Sequence, residues 1–297
     1  MTPTRDAIVA TAHESIARGS KSFALASRLL DRRTRERAWL LYAWCRRCDD
    51  LADGQDHGGA LEDVADAQAR LALIAARTEA ALAGETVGDP AFDALRLVVA
   101  ETGIPTDDPH DLVAGLALDA QGWRPRTEDD LMRYCHHVAG VVGRMMAIVM
   151  GVDPADEATL ARADAMGRAF QLSNIMRDVE EDDRAGRCYL PIEWLAEMDI
   201  PPGEHMKPWF RERLVVLVRR LGDRAAELEA HARPGVRALA LRPAWGVLTA
   251  AGIYGEIGRK VMARGEHAWD HRVTTRMSEK LGWVARGLGA ALRRQRA

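Results

Sequence analysis

Apolar residues recur along this chain with a period near that of a helix, and strand-like alternation is almost absent. The pattern predicts helices near 4–18, 33–53, 60–83, 90–102, 108–121, 127–150, 155–183, 191–198, 206–231, 235–264 and 275–294. Glycine and proline break them, at Gly58-Gly59, Gly88 to Pro90, Gly103 to Pro109, Pro125, Gly151 to Pro154, Gly186 to Pro191, Pro201 to Gly203, Pro234 and Pro243. Asp153-Pro154 predicts one helix start, and Thr127 followed by Asp130 another. The longest apolar run, Val138 to Val152, is interrupted by Arg144 and is too short to cross a bilayer, so it reads as a core helix. No repeat, biased tract or long linker divides the sequence. The expectation is one all-α domain over residues 1–297, a helical bundle around a central cavity.

Two of these helices carry polar side chains in an unusual register. In the helix near 155–183, Gln171, Asn174, Asp178 and Asp182 stand 3, 4 and 4 residues apart and so share one face. Beside them runs the apolar stripe Leu172, Ile175, Met176 and Val179. In the helix near 33–53, Tyr42, Arg46, Asp49 and Asp53 follow steps of 4, 3 and 4 beside Leu41, Cys45, Cys48 and Ala52. Carboxylates along the margin of an inward face need a cation or a basic partner, because burying them alone is costly. The donor set is all oxygen, which suits Mg²⁺, with Mn²⁺ as a substitute, over metals that prefer thiolate or imidazole. Arg46 and Arg177 accompany the two motifs. Carboxylate, magnesium and arginine together balance the charge of a diphosphate. Asp50, Glu180, Glu181 and Asp183 read as ordinary outward or rim charges.

The wider composition narrows the function without choosing it. Charged residues make up 29% of 297 and the net charge is −3, so no basic surface for nucleic acid is indicated. The N-terminus shows no signal-peptide pattern. Cys45 and Cys48 form a C-x-x-C but continue a helix stripe, which predicts packing rather than redox or metal chemistry; reduced thiols suit a cytoplasmic chain. Gly19, Ser20, Lys21 and Ser22 form a small polar loop able to offer amides, hydroxyls and an ammonium to a phosphate, without P-loop spacing. Tyr134 and Tyr254 read as core aromatics, and His136 and His137 carry no assigned role.

Taken together, GSKSFALAS, LLYAWCRRCDDLAD, YCHHVAGVVGRMMA, AFQLSNIMRDVEEDDRAGRCYLP and EHAWDHR resemble the squalene/phytoene synthase family, and within it the bacterial phytoene-forming branch. The likeness runs from about Ser15 to beyond Arg272. It implies the isoprenoid-synthase fold and head-to-head joining of two prenyl diphosphates without NADPH. Residue by residue, it implies that Asp49, Asp53, Asn174, Asp178 and Asp182 hold magnesium. Gly19, Ser20, Lys21, Ser22, Tyr42, Arg46, Gln171, Arg177 and Tyr254 would contact substrate, Arg272 would lie near the leaving group, and Tyr134 would serve the cationic steps.

The implied substrate is geranylgeranyl diphosphate, and the implied product is phytoene. A chain-elongating prenyltransferase is the first rival, since Asp49-Asp50-Leu51-Ala52-Asp53 also fits its D-D-x-x-D. Squalene, dehydrosqualene or presqualene diphosphate synthesis and a non-catalytic scaffold are the others. Small residues at Ala24, Ala26 and Ser27 would leave room for a C20 chain. A lipid-like product implies peripheral membrane contact, with Arg293, Arg294 and Arg296 as candidate contacts. It also implies contact with an upstream diphosphate synthase or a downstream desaturase.

Overall fold

A computed structural model describes residues 3–56, 59–60 and 66–294, with side chains throughout except at 21, 22, 55, 56, 59 and 60. Thirteen α-helices account for most of it: α1 (Arg5–Gly19), α2 (Lys21–Ser27), α3 (Arg32–Ala52), α4 (Ala67–Leu82), α5 (Pro90–Thr102), α6 (Asp107–Ala120), α7 (Glu128–Cys135), α8 (Val141–Val149), α9 (Glu157–Arg184), α10 (Ile192–Glu197), α11 (Arg211–Ala232), α12 (Leu241–Arg264) and α13 (Met277–Arg293). Among the described residues the only strands are β1 (Gln55–Asp56) and β2 (Gly59–Ala60), which pair antiparallel just after α3.

Among the described residues the two larger apolar cores each include one Asp-bearing helix. Leu40, Leu41, Trp44, Cys48 and Leu51 of α3 pack with residues of α1, α4, α5, α6 and α8. Leu172, Ile175, Met176 and Val179 of α9 pack with α7, α11, α12 and the segment around Trp269. The α3 and α9 helices do not pack extensively on one another; α8 lies against both, and α6 lies against α3. The polar margins of α3 and α9 are thereby left facing a shared interior. Cys48 is buried in the first core and Cys45 lies against it, as packing residues should.

Where α8 and α9 meet, glycines allow backbone-to-backbone contact. A Cβ on Gly167 would stand 2.2 Å from the Ala139 carbonyl oxygen, and one on Gly143 would stand 2.4 Å from that of Ala163. Neither neighbour is a flexible side chain. This crossing orients α9, whose remaining sides are covered by α11 and α12.

Local chemistry explains most departures from the expected elements. The helix expected over 127–150 begins with the Thr127–Asp130 capping box but contains a π-helical segment, His136–Gly140, between α7 and α8. There His136 Nδ1 meets Asp164 Oδ1 at 2.5 Å, an approach that a Cβ on Gly140 would block. Asp156, not Asp153, caps α9, accepting from the Thr159 amide at 3.1 Å. The loop expected at Gly19–Phe23 is mostly helical: Ser20 alone separates α1 from α2, and its hydroxyl accepts from the Phe23 amide at 3.2 Å. Ser27 is buried and accepts from Trp39 Nε1 at 3.0 Å, so its hydroxyl is committed to the fold. Arg144 clamps Asp108 at 2.9 Å and Glu157 at 2.6 Å, a peripheral structural tie.

The Gly167 contact predicts its own test. Gly167→Ala should destabilise the protein by about 1–3 kcal/mol, the usual cost of overpacking, because a backbone carbonyl must move. Urea denaturation of the two proteins measures it, and equal midpoints would contradict the close crossing.

Candidate active site

Along α9 the predicted face is intact. Asn174 Nδ2 donates to Gln171 Oε1 at 3.4 Å, leaving the Asn174 carbonyl oxygen open to a cation. Arg177 grips Asp178 with two guanidinium nitrogens, through Nε to Oδ1 at 2.7 Å and through Nη2 to Oδ2. Arg272 arrives from 94 residues away and donates Nη2 to Asp178 Oδ1 at 2.9 Å and Nη1 to Glu181 Oε2 at 2.8 Å. Its placement depends on Trp269, which is buried and donates Nε1 to the Met176 carbonyl at 3.0 Å. Glu181 is exposed, as an outward or rim charge should be, and its carboxylate pairs with Arg272. Tyr254 stacks on Phe170 with centroids 4.3 Å apart and lies close enough to Arg177 and Asp178 for their charges to act on its phenol.

The α3 side is organised by different partners. Gly19 stands where a Cβ would come within 2.3 Å of Tyr42 Oη, so the α1–α2 junction lies against Tyr42, with Phe23 at 5.5 Å ring to ring. The side chains of Lys21 and Ser22 lie outside the described residues. Arg46 donates to Asp50 at 2.5 Å and borders a cleft of about 480 Å³ that α3 forms with α1 and the start of α5. Asp50 is 3% exposed, which corrects its reading as an outward charge: burial is tolerated because Arg46 accompanies it. Arg46 also acts on Asp49, holding its pKa down against the stronger effect of burial.

Three residues that the sequence did not single out complete the arrangement. Gly186, with φ of 73°, turns the chain back after α9, and the Arg187 amide donates to the Asp182 carbonyl at 2.8 Å. Arg187 then reaches across to Asp53, Nη2 to Oδ1 at 2.6 Å, and ties the two motifs together. Asp119 of α6 accepts from both Tyr134 Oη and Tyr189 Oη at 2.8 Å. Their signals are not local. Asp119 lacks the i±4 basic partner that would mark it on a helix, and Arg187 follows a glycine turn whose direction only the fold decides.

The electrostatics show why cations are wanted here. Asp49 keeps open surface on α3 while much protein crowds around it. Burial first, then Asp53, Asp50 and Asp119, push its pKa up to about 7 against the pull of Arg46. Burial and then Asp178 push Asp182 up to about 7 as well, with Asp119 adding to the rise and Arg187 opposing it. Burial also raises Asp119. The acidic groups crowd one another beyond what the arginines neutralise, and all their donors are oxygen, so the set fits a hard divalent cation such as Mg²⁺. Among the described residues, the only His, Cys, Asp or Glu atoms that converge in threes within 4.8 Å are those of Asp111, His136 and His137, a nitrogen-rich group apart from the Asp motifs. The motif carboxylates stand farther apart, a spacing suited to ions shared with substrate oxygens rather than caged by protein alone.

The chain resembles known proteins over nearly its whole length. The squalene/phytoene synthase family profile matches residues 16–279. The phytoene synthase of Pseudescherichia vulneris is 43% identical over 284 residues, covering 95% of this chain and 91% of that protein. The 15-cis-phytoene synthase of Pantoea ananas is 43% identical over 281 residues, covering 94% and 90%. The crystal structure of a dehydrosqualene synthase in complex with ligand superimposes with a TM-score of 0.84 at 28% identity, covering 96% of both chains. By sequence over nearly its whole length, and by fold, the chain belongs to the squalene/phytoene synthase family.

Proposed function

We propose that this protein is a phytoene synthase, condensing two geranylgeranyl diphosphates head to head without a redox cofactor. The observation that carries the reading is the meeting of two Asp motifs and Arg177, Arg187 and Arg272 around one interior space. The kinship with phytoene synthases at 43% identity supports the C20 substrate over a C15 one and over chain elongation.

In this reading Asp49, Asp53, Asn174, Asp178 and Asp182 hold Mg²⁺, which when bound supplies positive charge to the departing diphosphate. Arg177 and Arg272, now on Asp178, and Arg187, now on Asp53, are donors within reach of the same diphosphate oxygens. As a C–O bond breaks, both its electrons leave with the diphosphate, and the guanidinium groups offset that charge. The double bond of the second molecule attacks the allylic cation and gives a cyclopropylcarbinyl diphosphate. A second ionisation, rearrangement and loss of a proton give the linear hydrocarbon. The packed cores on either side of the interior space keep water from the cations. Tyr42 contributes a ring at the α3 wall, and Tyr254 contributes one at the α9 wall.

No helix among the described residues is long and apolar enough to cross a membrane. Delivery of so greasy a product supports a cytoplasmic enzyme docked peripherally on the bilayer. The expected tail contacts change in detail. Arg294 is committed to the carbonyls of Ala291 at 2.6 Å and Leu239 at 3.1 Å, Arg293 remains exposed, and Arg296 lies outside the described residues. Met277, Leu281 and Leu292 are exposed along one stripe of α13 and supply the apolar contact.

Three measurements test these statements. Purified protein given geranylgeranyl diphosphate and Mg²⁺ without NADPH should form a C40 hydrocarbon, and EDTA should abolish it. Asp49→Asn and Asp178→Asn should keep the circular-dichroism spectrum and lose at least about a hundredfold in turnover, as when several kcal/mol of charge stabilisation is removed. A C30 product from farnesyl diphosphate alone would move the enzyme to the squalene side.

The second concerns pH. Asp49 and Asp182 titrate near 7 in the folded state against 3.8 for an ordinary aspartate. The native state then binds more protons than the unfolded state between these values, so in EDTA this pair's contribution to stability is lost as pH rises toward 7. Added Mg²⁺ should raise the melting temperature at pH 8 and barely change it at pH 5. Equal Mg²⁺ effects at both pH values in differential scanning fluorimetry would contradict the assignment.

The third is co-sedimentation with anionic vesicles. The wild type should pellet with them, and Leu281→Glu combined with Leu292→Glu should not; a wild type left in the supernatant removes the membrane reading.

A further inference from the structure

Asp119 stands at the wrong end of its helix. It lies in the last turn of α6, where the helix dipole presents negative charge and a carboxylate is disfavoured. Neither oxygen acts as a local cap. Oδ1 accepts from Tyr189 Oη and Oδ2 from Tyr134 Oη, both at 2.8 Å, across 70 and 15 residues of sequence. Both donors are buried phenols. A local cost borne for distant partners marks a position set by the site rather than by the helix.

The phenols belong to an aromatic stack. Tyr134 and Tyr189 lie with centroids 4.8 Å apart and planes 19° from parallel, and Trp123 stacks on Tyr134 at 5.6 Å and 25°. Neighbouring rings occupy the faces of Tyr134, so its route to the reaction is through its oxygen edge. Asp119 is also the group whose charge reaches both motifs, raising Asp49 on one side and Asp182 on the other, with Arg187 beside it.

We infer that Asp119 is a positioning residue: it accepts the hydroxyl hydrogen bonds of Tyr134 and Tyr189 and so fixes both phenol oxygens beside the space between the two Asp motifs. The inference rests on the proposed phytoene synthase reading and adds to it. A phenol bonded to a carboxylate has no proton to give and greater negative character at oxygen, the polarity that favours a neighbouring carbocation. No bond to Asp119 forms or breaks in this role.

Asp119→Asn preserves volume but offers one acceptor oxygen where two are used. It should lower kcat about ten- to hundredfold, the equivalent of one charge-assisted hydrogen bond, with KM changed less than about twofold. Cation control should also fail in a visible way, with cyclopropylcarbinyl diphosphate or water-quenched alcohols rising relative to hydrocarbon. Adding Tyr134→Phe to Asp119→Asn should cost little more, because both act through one hydrogen bond. Tyr189→Phe, which keeps the carboxylate and removes one donor, should shift the product ratio in the same direction even if Asp119→Asn proves unstable. Asp119→Glu should recover part of the hydrocarbon fraction. An unchanged product ratio in both Asp119→Asn and Tyr189→Phe, or fully additive losses with Tyr134→Phe, overturns the proposal. A wild type that forms no hydrocarbon overturns the functional reading itself, and this inference with it.

Discussion

Unbalanced carboxylate charge in an enclosed space is the constraint around which this protein is built. Asp49, Asp53, Asp119, Asp178 and Asp182 bear on one another between two apolar cores, and burial together with neighbouring carboxylates pushes Asp49 and Asp182 up to about 7. Such a set stands only if the scaffold is rigid enough to hold groups that repel and if cations are supplied. The scaffold meets the first condition with two separate cores and a crossing so close that glycine is required at positions 143 and 167. The second is met in part by arginine and, in the proposed reaction, by magnesium.

The arginines come from three different places in the chain, which gives the site its sensitivity to fold. Arg177 is local to α9. Arg187 depends on a left-handed glycine turn, and Arg272 depends on a buried tryptophan bonded to the α9 backbone. Each holds a carboxylate by a charge-assisted hydrogen bond, and each is a donor suited to a diphosphate. Stability and function therefore draw on the same pairs. A protein with fewer carboxylates here would be more stable and, in the proposed reading, would lose its ligands for magnesium.

Aromatic groups divide the same way. Tyr254 rests on Phe170, Tyr42 is backed by the α1–α2 junction, and Tyr134 is enclosed in a stack whose orientation one carboxylate sets. The Tyr134 hydroxyl is fixed by a hydrogen bond and all three ring bodies by packing, so the rings are positioned before any ligand arrives.

The sequence by itself determined the helical class, the breaks at glycine and proline, and the two inward-facing Asp registers, because each follows from spacing within a single helix. It also carried the family resemblance, through motifs long enough to be read without coordinates. What it could not determine was which neighbour each charge meets. Asp50 looked outward because a helix wheel cannot foresee that Arg46 will follow it into the interior. The loop at Gly19 looked irregular because a serine cap with helix on either side leaves little local trace. Arg187, Asp119 and Tyr189 acquire their meaning only when segments 15 to 134 residues apart converge. Spacing along a helix is a local property and hydrogen-bond partnership across a cavity is not; for that physical reason tertiary structure alone decided the second half of the site.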